Sequence, residues 1–560
     1  MASIISKKVN GSTYYYLREM ARVGGKPKMV SERYLGKAAD IEAAIAGATV
    51  LPERTRHLGF GDLAAALSVL GRIGVRDAVD RVVGARREDA AASVGTYVEL
   101  MVANRVVAPC SKLAFGDWWA TTAGDRLVKL PPSALDHRRF WDAMDALDDE
   151  TLSEIHRLVV TKMADEFALS TEGLVLDMTN VSTYVDTSND RNTIARRGHA
   201  KNKRHDLRIV GLSLVVTKDG AVPIASHAYP GNRPDVTQFV TAITQLSRQL
   251  AGVSDPAQLT VVFDAGMDSA ANLGLLDELG LHFVASVPPH QHPELLAVRS
   301  SDFRVVDEAT LPGVSAFERE LQVLGRRLRV VVTHSAEFHR KQSRGFDQTL
   351  AKAAAQLADL ARRLAGGHSR RPREAVEAEI AEILRPRWVA RVLRTALAGS
   401  GPKDFSLSFT IDAEARQALE DEVFGKRILI TDRRQWSVAE VILAYRSQWQ
   451  VEDGFRQMKD PDCVAVAPMF HWTDQKIAVH LFCCVLALSV LRLMVREVRT
   501  EGLVMSACDV LCELGRIEET VLVYPSTGGR PRARRMLTEM SPTQERLFGL
   551  FELEAFAPSA

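Results

Sequence analysis

Tyr445, Gln448, Glu452, Arg456 and Lys459 are spaced so that each lies 3, 7, 11 or 14 residues beyond Tyr445. At about 100° per residue, that spacing collects all five on one stripe of a helix. One carboxylate then stands among two cations, a phenol and an amide. On a surface helix this would be an ion-pair stripe contributing only about 0.2–0.5 kcal/mol per pair. The neighbouring Ile442, Leu443, Trp449, Val451 and Phe455 suggest instead a helix pressed into a core with its polar stripe facing a cleft. A carboxylate held between cations at a cleft suits metal-assisted phosphoryl chemistry on a polyanion.

Two aspartates extend that idea. Asp177 follows the apolar run Leu174-Val-Leu176, and Asp264 follows Leu259-Thr-Val-Val-Phe263. Each reads as an acid at the exposed C-terminal end of a strand. Asp186, Asp190 and Asp268 lie instead in loop or cap settings, where aspartate is expected for capping, and Asp453 points about 100° away from Glu452. Asp177, Asp264 and Glu452 are therefore the candidate metal-binding and catalytic set. Magnesium accepts a few carboxylate oxygens and completes its shell with water and phosphate. Two ions per site, magnesium or manganese, would serve the attacking and leaving oxygens of a phosphoryl transfer.

Phosphate contacts are expected from cations near these acids. Residues 191–208 carry Arg191, Arg196, Arg197, Lys201, Lys203, Arg204 and Arg208, with Asp190 and Asp206 at the margins. Placed between two strands beside Asp177, Lys201, Lys203 and Arg204 would neutralise a DNA backbone; the alternative is a solvated loop. Trp436 is the candidate for stacking on a base, whereas Trp449 is expected to anchor its helix in the core.

The elements that must position these residues follow from pattern. A chain of 560 residues exceeds one ordinary core. Its net charge of +1 means that any nucleic-acid partner must be met by local clusters. Six cysteines without CxxC spacing exclude a zinc site of the usual kind and suggest unpaired thiols in a reducing cytoplasm. No signal-peptide pattern is present, and the apolar stretch 477–494, broken by His480 and Arg492, reads as a buried helix rather than a membrane span. Residues 1–52 form a small β unit with a turn at Val23–Lys28. Residues 53–170 show helical periodicity. Strands at 174–176, 207–216, 221–229, 259–263 and 282–287, with helices at 235–250 and 269–279, give the order β-β-β-α-β-α-β of a ribonuclease H-like core over 171–289. A comparable strand returns only at 427–431. Residues 290–425 are thus expected to be an insertion, 426–475 the second part of the core, and 476–560 a helical C-terminal region with a basic segment at 528–535. The fold class is α/β, a mixed sheet with helices interrupted by a large insertion.

Particular stretches carry a family resemblance. Tyr445, Glu452 and Lys459 are similar in spacing to the Tyr-x2-Arg-x3-Glu-x6-Lys signature of DDE transposases of the insertion sequence 4 superfamily, with Gln448 where the family has Arg. Asp264-Ala-Gly-Met-Asp-Ser-Ala-Ala-Asn272 resembles its second-acid motif, with Ala265 where relatives carry Arg. Arg197-Gly-His-Ala-Lys201 with Arg204 and Asp206, and Tyr229-Pro-Gly-Asn232 with Asp235 and Thr237, resemble motifs of the insertion sequence 1634 group.

The resemblance implies a DNA transposase that cleaves insertion-element ends with a divalent metal and joins the freed 3′-hydroxyl to target DNA. In it Tyr445, Gln448, Arg456 and Lys459 would hold DNA phosphates. It further implies terminal repeats and target DNA as partners, a homodimer on DNA, no membrane, and a cytoplasmic, nucleoid-associated location. An inactive DNA-binding regulator descended from such an enzyme, and a metal-dependent nuclease without strand transfer, are the alternatives.

Overall fold

The apolar runs become strands of one large sheet in a computed structural model that describes residues 2–23, 26–48, 51–84, 90–201, 203–366, 370–525 and 532–559. The chain divides into two compact units, one made of residues 1–65, 116–129 and 509–560 and the other of 66–115 and 130–508.

In the first unit, β1 (Ala2–Val9), β2 (Ser12–Val23) and β3 (Lys26–Gly36) form an antiparallel meander. Gly24 and Gly25 of the expected turn lie outside the described residues. β4 (Arg54–Gly59) pairs antiparallel with strand Glu518–Tyr524, which pairs in turn with Arg532–Leu537. The region expected to be helical from 476 onward thus contains two strands. The run Thr520-Val-Leu-Val-Tyr524 is β-branched and aromatic, and such side chains favour a pleated surface. Residues 528–531 of the basic segment lie outside the described residues, and Arg532, Arg534 and Arg535 belong to the edge strand.

The second unit is built on a nine-stranded mixed sheet of β5 (Gly173–Thr183), β6 (Arg208–Thr217), β7 (Pro223–Pro230), β8 (Thr260–Phe263), β9 (His282–Val287), β10 (Arg304–Val305), β11 (Val314–Val323), β12 (Arg326–Ser335) and a strand at Lys426–Thr431. Its order is β10-β11-β12-(426–431)-β9-β8-β5-β6-β7. β5, β6 and β7 run antiparallel, whereas β5, β8 and β9 are mutually parallel neighbours. The three strands β10–β12 fall inside 290–425, the stretch expected to stand apart as an insertion. They join the sheet because Val330-Val-Val332 is an apolar run that pairs with Ile428-Leu-Ile430. What leaves the sheet is residues 336–423, with a 30-residue helix Ala336–Ala365, helices at Arg373–Leu384 and Ala413–Val423, and a hairpin of 393–398 with 406–411.

The helical stretch before the sheet is observed as Val94–Val107, His137–Asp145 and Asp149–Glu166. Helix Asp474–Thr500 is long and apolar enough to cross a bilayer, yet 94% of its most apolar window is buried in the protein. Among the described residues all six cysteines are unpaired, with Cys463, Cys483 and Cys484 buried and Cys508 and Cys512 exposed.

Candidate active site

Sheet pairing puts Asp177 and Asp264 on neighbouring parallel strands: β5 and β8 align Val175 with Val262, and β8 and β9 align Phe263 with Ala285. One residue past β8, Asp264 reaches Ser286 of β9, oxygen to oxygen at 2.8 Å. Asp264 directly follows its strand, as its sequence setting suggests. Asp177 does not end its strand: β5 runs on to Thr183, paired with β6 alone once β8 has stopped. Thr179, Val181 and Thr183 continue to bury side chains on one face, so the polar look of this segment conceals a strand that still packs on that side.

The helix expected at 445–459 is two helices. Val438–Arg446 opens with a capping box in which the Ser437 hydroxyl accepts the Glu440 N–H and the Glu440 carboxylate accepts the Ser437 N–H. Trp449–Lys459 follows after a break at Ser447 and Gln448. The stripe therefore splits. Tyr445, on the first helix, is buried and donates from Oη to Asp264 Oδ1 at 3.0 Å and towards Ser286 Oγ at 3.0 Å. It does not present its hydroxyl to solvent, as phosphate binding would require. Gln448 sits in the break, its backbone N–H bonded to the Tyr445 carbonyl.

The second helix faces a cleft of about 740 Å³ lined by Asp177, Thr179, Lys201, Glu452, Phe455, Arg456, Lys459, Asp460 and Pro461. Two ammonium groups flank Asp177 there. Lys459 Nζ donates to Thr179 Oγ1 at 2.6 Å, and Lys201 Nζ donates to the Met178 carbonyl at 2.6 Å. Arg456 borders the same cleft but pairs with Asp453, which faces away from Glu452 and also binds Arg492 at 2.5 Å.

Other expected contacts fall elsewhere. Arg204 makes a two-pronged pair with Asp206, at 2.8 and 2.7 Å, so its charge is already met. Lys203 is exposed, with a left-handed backbone at φ 62°. Trp436 lies at the opposite end of the sheet from Asp264. Strand 426–431 runs antiparallel to β9, so its C-terminal end meets the N-terminal ends of β8 and β9, where Arg433 donates to Thr260 and Asp432 pairs with His282. Arg433 also covers the Trp436 ring at 5.3 Å. Trp449, expected in the core, is 58% exposed, and Val451, Phe455 and Met458 anchor its helix instead.

Burial pushes the Asp177 carboxyl up to about 6, with the charges of Glu452 and Asp235 adding to the rise and the Met178 N–H and Lys201 opposing it. Burial likewise lowers Lys459, aided by Lys201 and opposed by Asp177. Asp268 rises to about 6, by burial first and then by the charge of Asp264. A half-buried carboxyl raised in part by the charge of a neighbouring carboxylate, as Asp177 is by Glu452, fits a hard divalent cation, which would relieve that repulsion. Asp177 and Glu452 share the cleft, while Asp264 turns one oxygen to Tyr445 and Ser286. Among the described residues no three Asp, Glu, His or Cys side chains are gathered closely enough to hold one ion together.

Ser286 and Thr179 were not singled out by sequence. Their signal was positional: each is a polar residue in line with, or two residues beyond, a candidate acid on the same sheet. Tyr229 and Asp235 also join this region through a 3.1 Å hydrogen bond. Gly211 makes room for the Tyr229 ring, since a Cβ there would lie 2.1 Å from it.

Residues 169–465, just over half of the chain, match the family described as "Transposase DDE domain". No curated protein matches the chain. A solved structure described as a cryo-EM structure of piggyBac transposase synaptic complex with hairpin DNA is similar over 81% of this chain and 80% of that one, at 11% identity and a TM-score of 0.37.

Proposed function

The chain belongs to the DDE transposase-domain family, and on that premise we propose that it cuts DNA at the ends of an insertion element and joins the freed ends to target DNA. The observation that supports this reading is that Asp177 and Glu452 line one cleft, with Asp264 at the end of the strand that runs parallel beside that of Asp177. The order β7-β6-β5-β8-β9, in which the first three strands are antiparallel and the next two parallel to the first, supports a ribonuclease H-like core. The spacing of Tyr445, Glu452 and Lys459 supports the insertion sequence 4 superfamily, and residues 197–206 and 229–237 support the insertion sequence 1634 group.

In this reading Asp177, Asp264 and Glu452 hold magnesium or manganese, two ions per site. Such ions would supply the positive charge that favours a deprotonated oxygen nucleophile and a leaving oxygen. Lys201 and Lys459 neutralise the phosphates beside the bond to be cut. Cleavage adds water across a phosphodiester and leaves a 3′-hydroxyl on the element. In joining, that hydroxyl replaces a 3′-oxygen of the target, so one phosphodiester forms as another breaks. Residues 53–170 are proposed to bind the element ends, and a homodimer to hold two ends together, in the cytoplasm at the nucleoid.

The test is magnesium-dependent cleavage and joining on a duplex carrying an element end, with Asp264→Asn as control. Cleavage and joining that vanish in the variant are expected. Wild-type binding without cleavage would overturn the enzyme in favour of a DNA-binding regulator, and cleavage without joining would favour a nuclease.

A further inference from the structure

We infer that Ser286 is a positioning residue that, together with Tyr445, fixes the rotamer of Asp264; this rests on the proposal that Asp264 binds a divalent cation. β9 reads His-Phe-Val-Ala-Ser-Val, and after His282 its only polar side chain is Ser286. That side chain is 5% exposed, among Phe283, Val284, Ala285 and Val287, which are buried too. A hydroxyl in such a place costs free energy unless its hydrogen bonds are made. All of them are made, and all at one point. Ser286 Oγ donates to Asp264 Oδ1 at 2.8 Å, accepts the Ala265 backbone N–H at 3.2 Å, and lies 3.0 Å from the donating Tyr445 hydroxyl. A hydroxyl has one proton and two lone pairs: the proton goes to Asp264, one lone pair takes the Ala265 N–H, and the other faces the Tyr445 hydroxyl, whose single proton is shared between Ser286 Oγ and Asp264 Oδ1.

The consequence falls on Asp264. It stands just past the end of a four-residue strand and is exposed, a setting in which an aspartate would ordinarily sample several rotamers. Here Oδ1 receives two donors, from Ser286 and Tyr445. Oδ2 is left as the oxygen available to a ligand. The Tyr445 ring is itself held, because the Arg427 guanidinium lies over it at 5.0 Å and over Phe338 at 4.9 Å. The chain of contacts runs from a sheet strand and a helix, both rigid, to one carboxylate oxygen. Groups that orient a ligand in this way typically alter metal affinity or activity by about 10- to 100-fold when removed.

The experiment uses the full chain and two readouts. Manganese binding to the DNA-free protein is followed by electron paramagnetic resonance, and kcat and KM are measured on an end-bearing duplex. Ser286→Ala is expected to weaken manganese binding about tenfold and to lower kcat by a similar factor with KM for DNA unchanged. Ser286→Thr, which keeps the hydroxyl, is expected to restore both. Tyr445→Phe keeps the Ser286–Asp264 bond and should weaken binding by a smaller factor, about threefold, which provides a reading even if Ser286→Ala fails to fold. A folded Ser286→Ala, or a folded Tyr445→Phe, with manganese affinity and kcat within about twofold of wild type overturns the inference. Asp264→Asn separates the two levels of the argument. If it still cleaves DNA, the functional reading fails. If it is inert while the Ser286 and Tyr445 variants behave as wild type, only the positioning role fails.

Discussion

Asp177 is the residue at which function and stability pull apart most plainly. Its carboxyl is raised from 3.8 to about 6, so the folded protein binds that proton more tightly than the unfolded chain. Its contribution to stability is therefore neutral below about pH 4, declines between pH 4 and 6, and above that costs on the order of 3 kcal/mol. Asp177→Asn should make the metal-free protein more resistant to urea at about pH 7.5, by that order of magnitude, and leave it unchanged near pH 4, while abolishing cleavage. An equal gain at both pH values would show that burial of charge is not the cause. The neighbouring cations make a second, comparative prediction. Lys201 reaches the strand beside Asp177, whereas Arg204 is matched by Asp206. Lys201→Gln should reduce the slope of log affinity for DNA against log salt by about 0.9, the share of a single phosphate, and Arg204→Gln should leave it nearly unchanged. Equal slopes for the two variants would contradict the pairing of Arg204 with Asp206.

At the scale of elements, the close approach of Gly211 on β6 to the Tyr229 ring on β7 is a tightly constrained point near the acids. Gly211→Ala should displace that ring and cost about 1–3 kcal/mol in chemical denaturation. Loss of the Tyr229–Asp235 bond should reduce activity along with it. Sequence pattern rendered this part of the sheet well, because β6, β7, β8 and β9 are apolar runs bounded by turn residues such as Lys218-Asp-Gly220. It did less well where local signals were neutral. β5 extends past Asp177 through Thr179, Asn180 and Ser182, polar residues of which Thr179 is buried and bonded by Lys459 from a helix 280 residues later. The break at Ser447–Gln448 is invisible to the pattern because both residues keep right-handed helical dihedrals, φ −65° and −54°, so the periodicity runs on across it. That break has a use. It allows one helix to send Tyr445 to Asp264 and the next to bring Glu452 and Lys459 to Asp177. The strands β10–β12 were assigned to an insertion because sheet membership depends on a partner strand about 100 residues later, which no window of local pattern contains.

For the whole molecule, a net charge of +1 conceals an uneven distribution, since residues 1–37 carry eight Lys and Arg against two Glu. Much of this charge lies on the meander β1–β3, whose side chains are mostly exposed. Replacing Lys8, Lys26 and Lys28 by Gln should lower the salt slope of DNA binding by about 0.9 for each phosphate these lysines neutralise, without shifting the thermal midpoint. A slope equal to wild type would assign the charge to solubility instead. The pairing of β4 with strand 518–524 has a different kind of consequence, one that plays out in time. These strands are separated by roughly 460 residues, and a ribosome adds about 5–20 residues per second. For something like 20 to 90 seconds after β4 emerges, its partner has not been made. During that interval the nascent chain carries an open strand edge, the kind of feature that invites stray pairing and chaperone attention. A chain whose synthesis stops early never closes that edge. Strand 518–524 thus covers one edge of β4 long after β4 has been made, and a copy that stops short of it leaves that edge bare.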